Sequence, residues 1–193
     1  MFGFLLLTPL PAFAATITVT TTANSSGNDG SCSLPEAINS ANQDSAFFEC
    51  SAGTGADTIA FNIAGAGPHT ISVPSPLPDI SAPVTIDGTS QPGYAGDPVV
   101  VLDGSAPTIG GDGLRIESGG EGSTIKGLAI HSFEDHGISI TGTATGTTIR
   151  ANHIGTDAAG MADLGNEDGG IFAATGSTTI GGTGAGDGNL ISG

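Results

Sequence analysis

Residues 123–130 read STIKGLAI, residues 147–154 read TTIRANHI, and residues 178–182 and 188–191 read TTIGG and GNLI. Laid over one another, they align Ile125 with Ile149 and Ile180, and Ile130 with Ile154 and Ile191. The spacings along the first alignment are 24 and 31 positions. The difference falls on residues 155–169 (GTDAAGMADLGNEDG), whose glycines and acids mark an inserted surface loop. A unit of roughly 20 to 30 residues with two or three short strands cannot bury its apolar side chains alone. Stacking such units buries them and pairs each strand with its copies above and below. The repeat therefore predicts an all-β chain wound as a right-handed parallel β-helix, with Ile125, Ile149 and Ile180 in one inward column and Ile130, Ile154 and Ile191 in another. Asn152 and Asn189 each precede the second column by two residues, at an expected bend. There Asn tolerates a left-handed backbone and its amide can bond between coils. Leu128 takes that place in the first repeat, so the amide ladder is incomplete.

Upstream, short β-rich runs recur between Gly, Asn, Asp and Pro: DTIAFNI (57–63), HTISV (69–73), APVTIDG (82–88), PVVVLDG (98–104) and GLRIES (113–118). None is joined to the next by a two-residue Asn-Gly type turn, which argues against an antiparallel meander. Residues 16–22 (TITVTTT) alternate β-branched side chains and predict a strand. Ser33-Leu34-Pro35-Glu36 then matches a capping box with Pro in the first helical turn. A helix over 34–42 follows, with Leu34, Ala37, Ile38 and Ala41 on one face, read as a cap over the end of the coil.

Residues 1–15 (MFGFLLLTPLPAFAA) have the apolar run and small-residue ending of a secretory signal, with cleavage after Ala14. No Lys or Arg precedes that run, so a longer leader is expected upstream. The organisation read from the sequence is a signal peptide over 1–14, an N-terminal strand and capping helix over 15–56, and coils over 57–193. The chain stops at Gly193 inside a recurring motif, so further coils are expected beyond it. No later apolar run approaches the roughly 20 residues of a membrane-spanning helix. Cys32 and Cys50, 18 positions apart, are expected to pair in an exported chain. The alternative, a metal held by the two thiols, lacks further ligands at suitable spacing.

Glycine supplies 33 of 193 residues, 37% are hydrophobic, 11% are charged and there is no Trp, a composition suited to short strands and many turns. Nineteen acids against three bases give a net charge of −16. Arg115, Lys126 and Arg150 cannot build the basic surface that nucleic acid requires, so that class of partner is excluded. The acidic excess reads as the solvated surface of an exported protein, with a calcium-loaded surface as the alternative.

CSLPEAINSAN at 32–42 and DTIAFNI at 57–63 resemble the N-terminal signature of bacterial exported β-helix proteins of the CSLREA type. Pro35 stands where that family has Arg. TIDGTSQPGY (85–94), IGTDAAG (154–160), LGNEDGGI (164–171), TIGGT (179–183) and GNLISG (188–193) resemble the repeat module common in such proteins. The resemblance implies a secreted or cell-surface bacterial protein with pectin-lyase-like architecture, and it assigns no activity.

Pectin-lyase-like folds host polysaccharide lyases and hydrolases. These need carboxylates converging on calcium with a basic residue, or two carboxylates at defined separation. No complete set is legible. The nearest candidates are Glu134, Asp135 and His136, which with His131 occupy one turn in HSFEDHGI (131–138), and Arg150 one repeat later. An ordinary solvated turn is the competing reading. Asp157, Asp163, Glu167 and Asp168 in the inserted loop are the candidate calcium ligands, although the loop lacks EF-hand spacing and the GGxGxDxUx run. His69 and His153 stand alone and carry no assigned role. The expectation is a non-catalytic structural, adhesion or carbohydrate-binding segment of a larger bacterial protein, without a cofactor, whose partner is an extracellular carbohydrate or cell-surface ligand. The alternative is a polysaccharide lyase or glycoside hydrolase.

Overall fold

The structure, a computed structural model, describes residues 13–106, 110–174 and 176–193. Most of the expected signal peptide, residues 1–12, lies outside the described residues. In chain order the elements are β1 (Thr16–Val19), α1 (Leu34–Gln43), β2 (Asp57–Phe61), β3 (His69–Ser72), β4 (Val84–Asp87), β5 (Val100–Asp103), β6 (Leu114–Ile116), β7 (Thr124–Lys126), β8 (Leu128–His131), β9 (His136–Ile140), β10 (Thr148–Arg150), β11 (His153–Ile154), β12 (Gly169–Ala173), β13 (Thr179–Ile180) and β14 (Leu190–Ile191). The chain is thus all-β with one helix. The first strand is shorter than the alternation of residues 16–22 suggests, because the Thr20 N–H leaves the ladder to bond the Cys32 carbonyl and turns the chain toward α1.

The strands form three sheets, ordered β1-β2-β4-β7-β10-β13, β3-β5-β8-β11-β14 and β6-β9-β12. Every strand pair in them is parallel. From β4 onward the chain passes through the first, second and third sheets in rotation. Register places Ile17, Ile59, Ile86, Ile125, Ile149 and Ile180 side by side across the first sheet. Ile71, Leu102, Ile130, Ile154 and Ile191 do the same across the second. Side chains alternate faces along a strand, so each β-branched run sends its Ile inward and its Thr outward. The columns are fully buried until their last members, where Ile180 is 52% and Ile191 47% exposed.

The corners between the first and second sheets are where the backbone crowds. Gly88 follows β4, and a Cβ there would lie 2.2 Å from the Gly127 carbonyl oxygen. Ala151, the counterpart of Gly127 one repeat later, keeps the left-handed backbone at φ 56°. Asn152 then turns its amide between layers. Its Oδ1 accepts from the Leu128 N–H (3.0 Å) and its Nδ2 donates to the Ile125 carbonyl (3.0 Å). Asn189 repeats this one layer on, accepting from the Asn152 N–H (3.0 Å) and donating to the Ile149 carbonyl (2.8 Å).

At the other end, α1 packs Leu34, Ala37, Ile38 and Ala41 against β1 and β2. The capping box is formed: the Ser33 hydroxyl accepts from the Glu36 N–H, and the Glu36 carboxylate accepts from the Ser33 N–H at 2.9 Å. Cys32 and Cys50 form a disulfide across the base of α1. The inserted segment closes on itself through an antiparallel bridge between Thr156 and Asp163, and its end, from Gly169, already belongs to β12.

Candidate functional site: the outer face of the third sheet

Four residues line up across the third sheet because of its parallel register; three of them are accessible and the fourth, Ser139, is buried. Ile80 bridges Ile116, which puts Asp79 beside Arg115. Arg115 pairs in register with Ser139, and Ser139 with Phe172. Strands lie about 4.8 Å apart, so this row of carboxylate, guanidinium, hydroxyl and aromatic ring spans roughly 14 Å. Phe172 is 43% exposed although it lies in a strand. Beside the row, the Asp112 carboxylate accepts from the His136 backbone N–H at 3.1 Å and lies 3.1 Å from the His136 Nδ1. The His136 ring in turn rests against Phe172, with centroids 5.0 Å apart and planes tilted by 35°.

Asp79, Asp112, Asp135 and Arg115 edge a cleft of about 250 Å³ at one end of this face. Arg115 is held by Glu117, just past the end of its strand (2.6 Å). The Asp79 carboxyl is pushed above its usual range, first by loss of solvent and then by the charges of Glu117 and Asp112, with Arg115 opposing. Asp79 thus offers hydrogen-bond acceptors in a row that already holds a cation and an apolar ring.

The structure divides the residues singled out from HSFEDHGI. Glu134 and Asp135 form the turn from β8 to β9, and His136 opens β9; Asp135 edges the cleft, whereas Glu134 faces Gly110 beside it. His131 points from β8 on the second sheet, where its Nδ1 lies 3.1 Å from the Ser132 hydroxyl and 3.7 Å from Asp103. Arg150 does not join the group. It lies in the first sheet next to Lys126 and is bound to Asp187 at 2.8 Å, because its strand stacks on β7 and not on β9. The cation at the cleft is Arg115, and its acidic neighbours Asp79 and Asp112 went unrecognised in the sequence. Aligning GLRIES with HGISI would have put Arg115 level with Ser139 on an outward position, but Asp79 is joined to them only by an isolated bridge.

The four loop acids likewise disperse. Asp157 Oδ1 accepts from the Met161 and Ala162 N–H groups, at 2.7 and 3.1 Å, and so closes its own loop. Asp163 sits on the bridge to Thr156, while the backbones of Glu167 and Asp168 bond the Phe133 and Asp135 carbonyls. Among the described residues no group of three or more His, Cys, Asp or Glu side chains is arranged to hold a metal ion. All three basic side chains are in ion pairs: Arg115 with Glu117, Lys126 with Asp87 and Arg150 with Asp187. Among the described residues no helix is long and apolar enough to cross a membrane.

Comparison of the chain with protein-family models, curated proteins and solved structures returns no match.

Proposed function

We propose that the three sheets are the walls of a right-handed parallel β-helix of the CSLREA type, part of a secreted or cell-surface bacterial protein, and that the outer face of its third sheet binds an extracellular carbohydrate without cleaving it. The carrying observation is the registered row Asp79, Arg115, Ser139 and Phe172, with His136 stacked on the ring. A sugar ring has an apolar C–H face and a rim of hydroxyls. An exposed Phe packs the former, and a guanidinium and carboxylates in fixed positions bond the latter. The disulfide is compatible with an oxidising, extracellular setting. The stacked strands supply a rigid support: Arg115 and Ser139 have paired strands on both sides, and Asp79 and Phe172, at the edges, on one.

The rival reading, a polysaccharide lyase or glycoside hydrolase, draws on the raised Asp79 carboxyl beside Asp112 and Asp135. One experiment separates the two. The purified chain is titrated with a panel of acidic and neutral polysaccharides, and each mixture is assayed for new reducing ends and unsaturated products. Saturable binding that is lost in Phe172→Ala and weakened in Arg115→Ala, with no product, is the expected result. Turnover that collapses in Asp79→Asn or Asp135→Asn would establish the enzyme instead, and absence of binding across the panel would remove the carbohydrate reading.

A further inference from the structure

The outer face of the second sheet carries a larger cleft, about 530 Å³, separate from the row above. Its floor is aliphatic. Thr70 on β3 and Val101 on β5 lie in register there, and Val99 precedes β5. Two loops wall it. Residues 92–99 enter β5 and bring Pro92, Pro98 and Asp97; the inserted loop that follows β11 brings Asp157, Ala158 and Ala159. Because the strands are parallel, the first wall stands at their N-terminal ends and the second at their C-terminal ends. A floor four residues wide separates the walls, roughly 13 Å.

The charges of this cleft are all of one sign. Asp97 and Asp157 line it, and Asp103 lies behind His131 at 3.7 Å. His131 is 8% exposed, and loss of solvent lowers its pKa below the ordinary 6.5, against the pull of Asp103 and Asp157, so it is uncharged at neutral pH. Asp157 is held in place by its own loop. Its two loop N–H bonds both fall on Oδ1 and hold its carboxyl below the usual range, and Oδ2 takes no part in them. Among the described residues no Phe or Tyr ring and no Lys or Arg lines the cleft. The one flat side chain among the lining residues, His131, is 8% exposed and offers a sugar ring little to stack on, whereas a methylene chain finds Val, Pro and Ala along its length.

We propose that this cleft binds a linear aliphatic polyamine, with ammonium groups against Asp97 and Asp157 and the methylene chain lying over Val99 and Val101. Two ammonium–carboxylate hydrogen bonds at opposite walls fix its direction, and the floor removes its apolar surface from water. The net charge of −16 attracts any cation diffusely, so binding alone is not diagnostic and the residues must carry it.

Titration calorimetry of the whole chain at about 0.15 M salt, where diffuse attraction is screened beyond ~8 Å, uses spermidine, butylamine and a Lys-containing peptide as probes. Spermidine is expected to show one saturable site, at least about tenfold tighter than butylamine and about tenfold weakened in Asp97→Asn and in Asp157→Asn. Asn at 157 keeps an oxygen for the loop N–H groups. Thr70→Lys, at an exposed strand position, places a tethered ammonium in the cleft and should abolish binding without disturbing the core. Glu49→Gln, exposed and distant, should leave affinity unchanged, as should Arg115→Ala and Phe172→Ala, which test the carbohydrate face. No saturable heat with spermidine, equal affinity in the Asp97, Asp157 and Thr70 variants, or peptide binding without polyamine binding would each overturn the proposal.

Discussion

Asn152→Ala tests the layer-to-layer amide ladder more directly than any other substitution. The Asn152 side chain is 0% exposed, and its truncation strands two buried backbone groups, the Leu128 N–H and the Ile125 carbonyl. A buried polar group left without a partner costs about 1–3 kcal/mol. Two of them give about 2–6 kcal/mol, and a water entering the vacated space lowers this toward about 3 kcal/mol. Asn189→Ala strands the equivalent pair, the Asn152 N–H and the Ile149 carbonyl, but in a half-buried layer where solvent can replace the amide, so about 1 kcal/mol is expected. Asn152→Leu separates bonding from packing. Leu128 occupies the same register position one layer below, so a Leu side chain suits the space and yet bonds nothing. Urea unfolding with the disulfide intact measures all three as shifts in midpoint at constant slope. Amide exchange at Leu128 checks that the loss is local, since stacked repeats can open part by part. A cost below about 1 kcal/mol for Asn152→Ala, a cost equal to that of Asn189→Ala, or recovery of stability in Asn152→Leu would refute the reasoning.

Separating Cys32 from Cys50, by reduction or by Ser at both, should lower stability by about 3 kcal/mol for a separation of 18 residues, read from the same urea midpoints in oxidised and reduced protein. Gly88→Ala should cost about 1–3 kcal/mol or prevent folding, because the new methyl would fall 2.2 Å from the Gly127 carbonyl oxygen, in backbone that cannot yield as a side chain would. Ile86→Ala, in the fully buried first column, should cost about 2–5 kcal/mol, against near neutrality for Thr85→Ala on the outer side of the same strand. Since His131 has its pKa lowered below 6.5 in the folded chain, the unfolded chain binds the proton first; its contribution to stability is therefore present above pH 6.5 and falls as pH drops below it. His131→Gln should flatten that part of the stability–pH curve, and an unchanged slope would remove the assignment.

The repeat frame is readable because it is written three times in the residues. Ile125, Ile149 and Ile180 recur in the same local pattern, and each needs a like neighbour above and below, so their side-by-side register follows from alignment alone. The capping box before α1 was equally local, since both of its partners lie within four residues. The candidate site was only half readable. Glu134, Asp135 and His136 are legible as one turn, but Arg150, one repeat later in the alignment, is not their companion: it lies on β10 in the first sheet, and the turn feeds the third. The inserted loop was visible as an insertion, while the use of Asp157 to close that loop depends on backbone N–H groups that no side-chain pattern announces.

By itself the sequence determined which residues face inward, where the chain bends and that like strands pair with like, because alternation and repetition are properties of neighbouring residues along the chain. Only the tertiary structure decided which outward side chains meet. Asp79, Arg115, Ser139 and Phe172 belong to four successive passages of the chain, separated by loops of unequal length, and they come into line only when parallel pairing sets the register of one strand on the next. Inward residues are sorted by the shared need to leave water, which composition records; outward residues carry no such constraint, so their neighbours depend on how the turns between strands are closed.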